Sequence, residues 1–535
     1  MISGVWRVSS WLLAGLLLLA VATVFYPAFF ASGLGVTQLW QAGLPAYLIH
    51  STAIVVGSVL FSLLFGLPTA WFIAMYRFPG HRVLQWALCM PLAMPAFLLA
   101  FLYHDALRHF PLLLGEHEAW RDVHSAGVVA SLCAVSLVLA LVLYPYVYLL
   151  VREALIKQPA SLIHAAHLLN QTRSQVWRRV CVPLARPAMA CGGALVAAEA
   201  LGDYGAASYL GIPTMTTTVL DIWQRQGDLG AAARLGVLIL PVIFLLMFLV
   251  NRWRWKQQIY QSRLNASPLV PPTLTGWRGR MVRGYCWGIV CLSFIFPVLY
   301  LLFLALRHMM SVWDSAFLQA VMNSLLASVS TTVVITLMGL SFIFSTRTAK
   351  IQADQTPVKL LSLSFALPGA VLAVGLFTLL SLVERGITLS ASAAGGMSAD
   401  AWLTGSLFIL ILAYGVKFGR LMLDSLERHM AAIPRSLDSA GLALGASPTS
   451  LWARVHIPLL RRSLFMGALL IFTESMKELN VSLVLRPVGI DTLATYVFRL
   501  TVSEPVISFA VPALLLVAIG LVPVFVLHRA LNIKG

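Results

Sequence analysis

The chain has 535 residues, of which 59% are hydrophobic and only 11% are charged. Such a composition is far more apolar than that of a soluble protein and is typical of a chain whose solvent is the lipid bilayer. The formal net charge of +17 does not indicate nucleic-acid binding, because the Lys and Arg residues lie in short segments between apolar runs, which is how membrane topology is encoded.

Twelve apolar runs are long enough to cross a membrane, for which about 20 residues are needed. The first run follows Arg7 and is expected to stay in place as a signal anchor. The runs cover residues 11–31, 47–76, 84–103, 126–151, 188–212, 234–251, 286–306, 321–345, 360–383, 405–424, 463–485 and 507–528. This pattern predicts an all-α integral membrane protein with twelve transmembrane helices.

Basic residues concentrate in alternate connections between these runs. By the positive-inside rule, both termini and all the basic connections are expected to be cytoplasmic. The longest basic connection, residues 252–285, also contains three prolines and is predicted to be a cytoplasmic linker. It separates a first transmembrane half, residues 1–251, from a second half, residues 286–535.

Histidine and cysteine offer no clear metal site. The connection after the third run carries His104, His109, His117 and His124, but their spacing matches no compact ligand motif, so an ordinary polar loop is favoured over a metal site. The six cysteines show no CxxC spacing, and we interpret them as packing residues: Cys89, Cys133, Cys181, Cys191, Cys286 and Cys291.

The two halves contain an internal repeat. His50-Ser51 and Pro95 match Asn323-Ser324 and Pro368 at an offset of 273 positions. Residues 161–186, here called the first repeat loop, match residues 436–461, the second repeat loop, at an offset of 275 with ten identities in 26 positions. Both loops follow the fourth run of their half, so the repeat is parallel, six helices in each half, and predicts a pathway between the halves.

Each repeat loop sits in a connection of about 35 residues, which is longer than joining two helices requires. The sequence predicts a short helix, a left-handed turn at Asn170 or Gly445, a second helix, and a proline stop at Pro183 or Pro458. We therefore expect another protein to dock at these loops.

The repeat loops resemble the cytoplasmic signature of the integral-membrane permeases of binding-protein-dependent ABC importers. That signature runs Glu-Ala-Ala, three residues, Gly, nine residues, Ile, any residue, Leu-Pro. Both loops keep the spacing, although neither has the leading Glu, the first has Asn for Gly, and the second has a Gly in place of one Ala. The resemblance implies a role in coupling to an ATPase for Ala165, Ala166, Asn170, Pro183, Ala440, Gly441, Gly445 and Pro458.

The chain has no G-x-x-x-x-G-K-[ST] segment, so another polypeptide is expected to hydrolyse ATP. The resemblance implies two copies of an ABC ATPase subunit, which would hold ATP and Mg²⁺, and one periplasmic substrate-binding protein, assembled in a bacterial inner membrane. The chain itself is expected to bind no cofactor and to be a transport subunit rather than an enzyme.

Charged residues inside apolar runs cost about 2.5–3.5 kcal/mol each near the middle of a membrane, so each needs a reason. The fifth run carries Glu199 and Asp203, and the eleventh carries Glu474, Lys477 and Glu478. The carboxylates correspond at the offset of 275 and could ring an acidic constriction that favours cations. Alternatively, Lys477 neutralises its neighbours and the set only holds helices together.

The segments around these residues resemble the corresponding helices of fused ferric-iron permeases, notably Glu199-Ala-Leu-Gly-Asp203-Tyr204-Gly205 and Met476-Lys477-Glu478-Leu479. The resemblance implies that the substrate is Fe(III) received from a periplasmic iron-binding protein. Related fused permeases handle thiamine, and others handle polyamines or phosphonates, so these alternatives stay open. A secondary transporter would also explain twelve spans and buried carboxylates, but not the repeat loops; a membrane enzyme is disfavoured because no nucleophile or H-E-x-x-H motif is present.

Overall fold

The computed structural model describes most of the chain, and every structural statement below concerns that part. It comprises residues 22–31, 33–109, 127–156, 168–262, 271–307, 314–348, 368–393, 403–431, 433–487, 489–503 and 509–532, with single positions 11, 15, 18, 19, 158 and 166. Part of the first predicted span and most of the histidine-rich connection therefore lie outside the described residues, as does Ala165.

All the regular elements in this part are helical. The α-helices span Phe25–Phe30, Val36–Gln41, Leu44–Met75, His81–Ala87, Ala96–His109, Val128–Ile156, Arg173–Val176, Val182–Gly202, Gly205–Tyr209, Met215–Gln226, Leu229–Ser262, Gly276–Val290, Phe296–Arg307, Ser315–Thr348, Gly369–Ala393, Leu407–Ala431, Arg435–Ala443, Pro448–Leu451, Ile457–Met476, Asn480–Leu485, Leu493–Ser503 and Ala510–Asn532. A 3₁₀ segment covers Met90–Ala93, and π-helical turns cover Trp177–Cys181, Cys291–Ile295 and Trp452–His456.

Seven described helices are long and apolar enough to cross a membrane: Leu44–Met75, Val128–Ile156, Trp177–Gly202, Gly276–Leu306, Ser315–Phe344, Gly369–Leu389 and Thr449–Met476. A bent pair would make an eighth, and two shorter apolar helices span Leu229–Leu245 and Ala510–Val526. The helix Leu407–Ala431 overlaps the tenth predicted run but carries several charged side chains within it. The all-helical class and several membrane-spanning helices are thus confirmed.

The third predicted run is not one straight helix. Its two parts, His81–Ala93 and Ala96–Leu107, meet at an angle of 92°. Met94, directly before Pro95, has an extended backbone with ψ 120°, as expected because a proline ring disfavours helical geometry in the preceding residue. The proline that the repeat analysis singled out therefore breaks the helix.

The fifth and eleventh predicted runs are also wrong in extent, because the long helices end early, at Gly202 and Met476. Each is followed by a short helix, Gly205–Tyr209 in the first half and Asn480–Leu485 in the second. Asp203 and Glu478 thus stand at helix breaks, where backbone N–H groups of the next helix are available to carboxylates.

The predicted linker is more regular than a solvated loop. The helix Leu229–Ser262 continues into it, and the helix Gly276–Val290 begins within it. Between them, Arg77 pairs with the linker backbone: its N–H donates to Pro272 O at 3.0 Å, and its carbonyl accepts from Leu274 N at 2.7 Å.

Equivalent hydrogen bonds recur in both halves. Ser51 Oγ accepts from Met215 N at 2.9 Å, and Ser324 Oγ accepts from Leu493 N at 2.5 Å. The residues just before these serines also act alike: His50 Nδ1 donates to Pro213 O at 3.0 Å and Asn323 Nδ2 to Asp491 O at 3.1 Å. The His-Ser and Asn-Ser pairs found by sequence comparison thus have the same structural role in the two halves. Each pair fixes the start of a helix that follows the break at Asp203 or at Glu478.

Candidate functional site

A cavity of about 150 Å³ lies between the two halves, and we call it the central cavity. All five charged residues predicted for a pathway line it, together with Lys417 from the helix Leu407–Ala431. Its remaining walls include Tyr146 and residues on both sides of the bend at Pro95. The residues that sequence comparison paired across the halves are therefore brought together in space.

The second half supplies ion pairs to this cavity. Lys417 Nζ lies 2.6 Å from Glu478 Oε2, and Lys477 Nζ lies 2.8 Å from Glu474 Oε1. The first pair is largely screened from solvent, since the Glu478 and Lys417 side chains are only 9% and 19% exposed, and the second is half-buried, with Lys477 20% and Glu474 28% exposed. The neutralising role expected for Lys477 is thus met at Glu474, whereas Glu478 uses a different lysine.

The first half supplies carboxylates without lysines. Asp203 Oδ2 accepts hydrogen bonds from the N–H groups of Ala206 and Ala207 at 3.0 and 3.2 Å. Glu478 Oε1 accepts from Val481 N at 3.1 Å in the same way, so both breaks are capped by a carboxylate. Glu199 differs, because its exposed carboxylate has no hydrogen-bond or ion-pair partner among the described residues.

Lys417 is the site residue that sequence analysis missed. It lies 275 positions after Val142, and both residues line the central cavity, so the second half has an ammonium group where the first half has a valine. A lysine inside the apolar run at residues 405–424 was a usable signal, since buried cations in membrane spans are costly.

The turns of the repeat loops have the predicted conformation. Asn170 has φ 54° and Gly445 has φ 79°, both left-handed. Each is followed by the same backbone bond: Gln171 N donates to Ala166 O at 3.1 Å, and Ala446 N donates to Gly441 O at 3.0 Å. This six-residue closure is the usual way of satisfying carbonyls at the end of a helix that stops at a left-handed residue.

The second loop departs from the permease signature at Gly441 for a local reason. A Cβ added to Gly441 would overlap Cδ1 of Leu451, which packs against it from the following helix. Ala440, one residue earlier, is exposed. The close approach of the two short helices therefore favours glycine at this position.

The predicted proline stops are wrong. Pro183 and Pro458 lie in the first turn of the helices Val182–Gly202 and Ile457–Met476, and a π-helical turn precedes each of them. Each π-helical turn is a local widening of the helix directly before the proline, and it accommodates a residue that has no N–H to give and whose ring crowds the preceding turn. The chain thus runs from the loop into the next long helix without stopping.

Leucine side chains project from the tips of both loops. Leu169 is 74% exposed and its equivalent Leu444 is 89% exposed; Leu168 and Leu442 are exposed beside them. The second loop is also anchored by Asp438, whose carboxylate lies 2.7 Å from Arg347 Nε and 2.9 Å from His456 Nε2. Ion pairs therefore hold the helix Arg435–Ala443 at Asp438, while the leucines at its C-terminal end are exposed.

Comparison with known proteins agrees with this arrangement. Residues 62–254 match the family described as the inner membrane component of binding-protein-dependent transport systems. This part of the chain, which includes the first repeat loop, therefore carries the permease domain that the loop's sequence predicted. Proteins of this family are permease subunits of transport systems, and they work with an ATPase and a substrate-binding protein.

Individual relatives carry several substrates. The chain is 25% identical over 469 residues to the Fe(3+)-transport system permease protein FbpB 2 of Haemophilus influenzae, covering 86% of this chain and 85% of that one. It is 26% identical over 211 residues to the sulfate permease CysT of Escherichia coli, covering 38% and 74%. It is 28% identical over 220 residues to the molybdenum permease ModB of the same species, covering 40% and 92%. The resemblance to a fused, two-half ferric-iron permease is thus confirmed.

Proposed function

We propose that the chain is the whole membrane pathway of an ATP-driven importer, with twelve helices arranged as two parallel repeats of six. Residues 1–251 would form the first half, 252–285 the linker and 286–535 the second half, with both termini in the cytoplasm. The recurring serine-to-amide bonds and the two carboxylate-capped breaks support this arrangement, since equivalent positions keep equivalent roles.

The repeat loops are proposed to couple the pathway to two copies of a separate ATPase that carries ATP and Mg²⁺. Exposed leucines at both tips support this role, because a contiguous apolar surface on an aqueous face is typical of a protein–protein contact. The left-handed turns at Asn170 and Gly445 fix where those tips point. Two loops on one chain suggest one permease and two ATPase subunits per complex.

Ferric iron is the proposed substrate, delivered by a periplasmic binding protein. The observation that carries this proposal is the charge of the central cavity. Four carboxylates face two lysines, which leaves a formal charge of −2, and Glu199 has no partner among the described residues. Carboxylate oxygens are the ligands that hard cations prefer. Among the described residues no three His, Cys, Asp or Glu side chains form a metal-holding group, and a pathway needs weak sites rather than a tight one.

An oxyanion is the second candidate, because sulfate and molybdenum permeases are among the relatives and because two lysines line the cavity. Each lysine is already paired with a glutamate, so the cavity offers an anion no free ammonium group. Thiamine, a small organic cation, remains the alternative on the cationic side.

The test is uptake of labelled ferric ion by cells that lack this gene and by the same cells carrying the wild-type gene, Glu199→Gln or Asp221→Asn. Asp221 is the matched control, because it is a surface carboxylate paired with Arg225 outside the cavity. Restored uptake that Glu199→Gln lowers and Asp221→Asn leaves unchanged supports the proposal. Uptake independent of the gene refutes the ferric assignment, and sulfate, molybdate and thiamine uptake would then be compared in the same strains.

A further inference from the structure

A second cavity lies beside the central one. It also has a volume of about 150 Å³, and three residues line both cavities: Leu92, Glu474 and Lys477. Its other walls carry Cys89 and Arg152, with apolar side chains from both halves. The three shared residues therefore form the partition between the two cavities.

Lys477 holds this partition together. Its Nζ donates to Glu474 Oε1 at 2.8 Å and to the carbonyl oxygen of Leu92 at 2.9 Å. In an unbroken helix the Leu92 carbonyl would accept from a residue beyond Pro95, but the 92° bend removes that partner and proline has no N–H to give. The ammonium group satisfies the carbonyl instead, and it thereby joins the second half to the broken helix of the first.

The first half has no counterpart to this bridge. Gly202 is the residue 275 positions before Lys477, and it has no side chain; its carbonyl accepts from Asn480 Nδ2 at 2.8 Å. Among the described residues, Lys477 is thus the one cationic side chain in the partition between the cavities.

We propose that Lys477 is the gate between the central cavity and the second cavity, and that a cation opens it by competing with the ammonium group for Glu474. The inference rests on the proposed function in one respect, which is that the substrate is a cation. A multivalent cation next to Glu474 repels Lys477 and replaces it as the counter-ion. Once Lys477 moves, its bond to Leu92 is lost and the partition opens.

The second cavity favours release. Glu474 is its single lining carboxylate among the described residues, whereas Arg152 contributes a guanidinium group whose Nε has no hydrogen-bond partner in the described part of the chain. Arg152 lies near the end of the helix Val128–Ile156, which leads toward the first repeat loop. A cation that passes the gate therefore meets like charge on the side of the loops and is not retained.

Thiol labelling tests the gate directly. Ala96 lines the central cavity alone and Cys89 lines the second cavity alone, so Ala96→Cys is introduced into the full chain with the five other native cysteines replaced by serine. Inside-out vesicles are treated with the membrane-impermeant cationic reagent MTSET. Cys89 should react in every variant, whereas the thiol at position 96 should react slowly unless Lys477 is replaced.

We expect Lys477→Met to accelerate labelling at position 96 by about ten- to a hundredfold, since hydrogen bonds from a charged donor are lost. Lys477→Arg, which keeps the charge and donors, should remain slow. Lys417→Met is the matched control, because Lys417 lines only the central cavity. Glu474→Gln provides the same test if Lys477→Met fails to insert.

Equal rates with and without Lys477 would overturn the gate, and an unreactive Cys89 would overturn the assignment of the second cavity to the side of the loops. The labelling needs no substrate. If it behaves as expected while ferric uptake proves independent of the gene, the gate stands and the ferric assignment falls; the reverse pattern keeps ferric iron and removes the gate.

Discussion

Asn170 and Gly445 occupy equivalent turns of the two repeat loops and share a left-handed backbone, with φ 54° and 79°. A Cβ at Gly445 would meet no described atom within 4 Å. Glycine is therefore favoured at this position by the left-handed backbone conformation and not by a lack of space for a side chain. Glycine and asparagine are the residues that adopt it at low cost.

Gly445→Val is expected to abolish uptake while leaving membrane insertion intact, because a β-branched residue resists positive φ and would misplace the tip of the second loop. Gly445→Asn should retain most activity, since Asn170 already holds the equivalent position. Uptake and membrane content are measured together for both variants. Normal uptake by the valine variant would show that the turn does not position the tip.

Leu444→Glu is expected to prevent association with the ATPase, because it places a charge at the 89%-exposed apolar tip of the second loop. Leu444→Met keeps the tip apolar and serves as the control. Co-purification of the ATPase with the tagged permease measures the effect. Unchanged association of the glutamate variant would place the contact elsewhere.

Glu478→Gln is expected to lower stability by about 3–5 kcal/mol, because it leaves Lys417 as an unpaired buried charge. Adding Lys417→Met should recover much of the loss, since the double variant buries no unpaired charge. Thermal unfolding in detergent of the two single variants and the double variant gives the coupling between the residues. Additive losses would mean that the 2.6 Å pair contributes nothing of its own.

Glu199→Gln is expected to leave stability nearly unchanged, because the carboxylate has no described partner to lose. Its effect should fall on transport instead. A unit charge within several ångströms of a trivalent ion is worth more than 1.4 kcal/mol even at an effective dielectric constant of about 20, so ferric uptake should fall at least about tenfold. Initial uptake rates and unfolding midpoints are compared, and a loss of stability equal to that of Glu478→Gln would contradict this assignment.

Asp438→Asn is expected to loosen the second repeat loop by about 3 kcal/mol, because Arg347 is 10% exposed and His456 is 3% exposed, and both lose a charged partner. Limited proteolysis of the loop in membrane vesicles measures the effect. Asp221→Asn, which breaks an exposed pair worth at most about 1 kcal/mol, is the control. Equal protease resistance of the two variants would show that the anchor is not needed.

The apolar runs and the repeat predicted most of the helices. The predicted helix ends were wrong where a side chain forms hydrogen bonds with the backbone at a helix break. The long helices stop at Gly202 and Met476, whereas the predicted runs continue to residues 212 and 485. Hydropathy does not register this, because Asp203 and Glu478 cap the next short helix through hydrogen bonds that depend on three-dimensional geometry. The bend at Pro95 was readable from proline chemistry, yet the run around it is uniformly apolar.

The sequence predicted those residues of the candidate site that have an equivalent in the other half at the repeat offset. Glu199, Asp203, Glu474 and Glu478 were paired by sequence and share one cavity. Lys417 was missed because it breaks the repeat, and a comparison of halves finds what is shared rather than what differs. The hydrogen bond from Lys477 to Leu92 was also not predictable from sequence, because the Leu92 carbonyl lacks its helical partner only as a result of the bend.

The difference in charge between Val142 and Lys417 shows one advantage of joining two halves in one chain. A pathway made of two copies of the first half would place four carboxylates and no lysine around the cavity, and two copies of the second half would balance four carboxylates against four lysines. The fused chain holds an intermediate formal charge. One substitution also changes that charge by a single unit, whereas in a symmetric dimer every change would be doubled. Fusion therefore gives selection a finer adjustment of the electrostatic potential along the pathway.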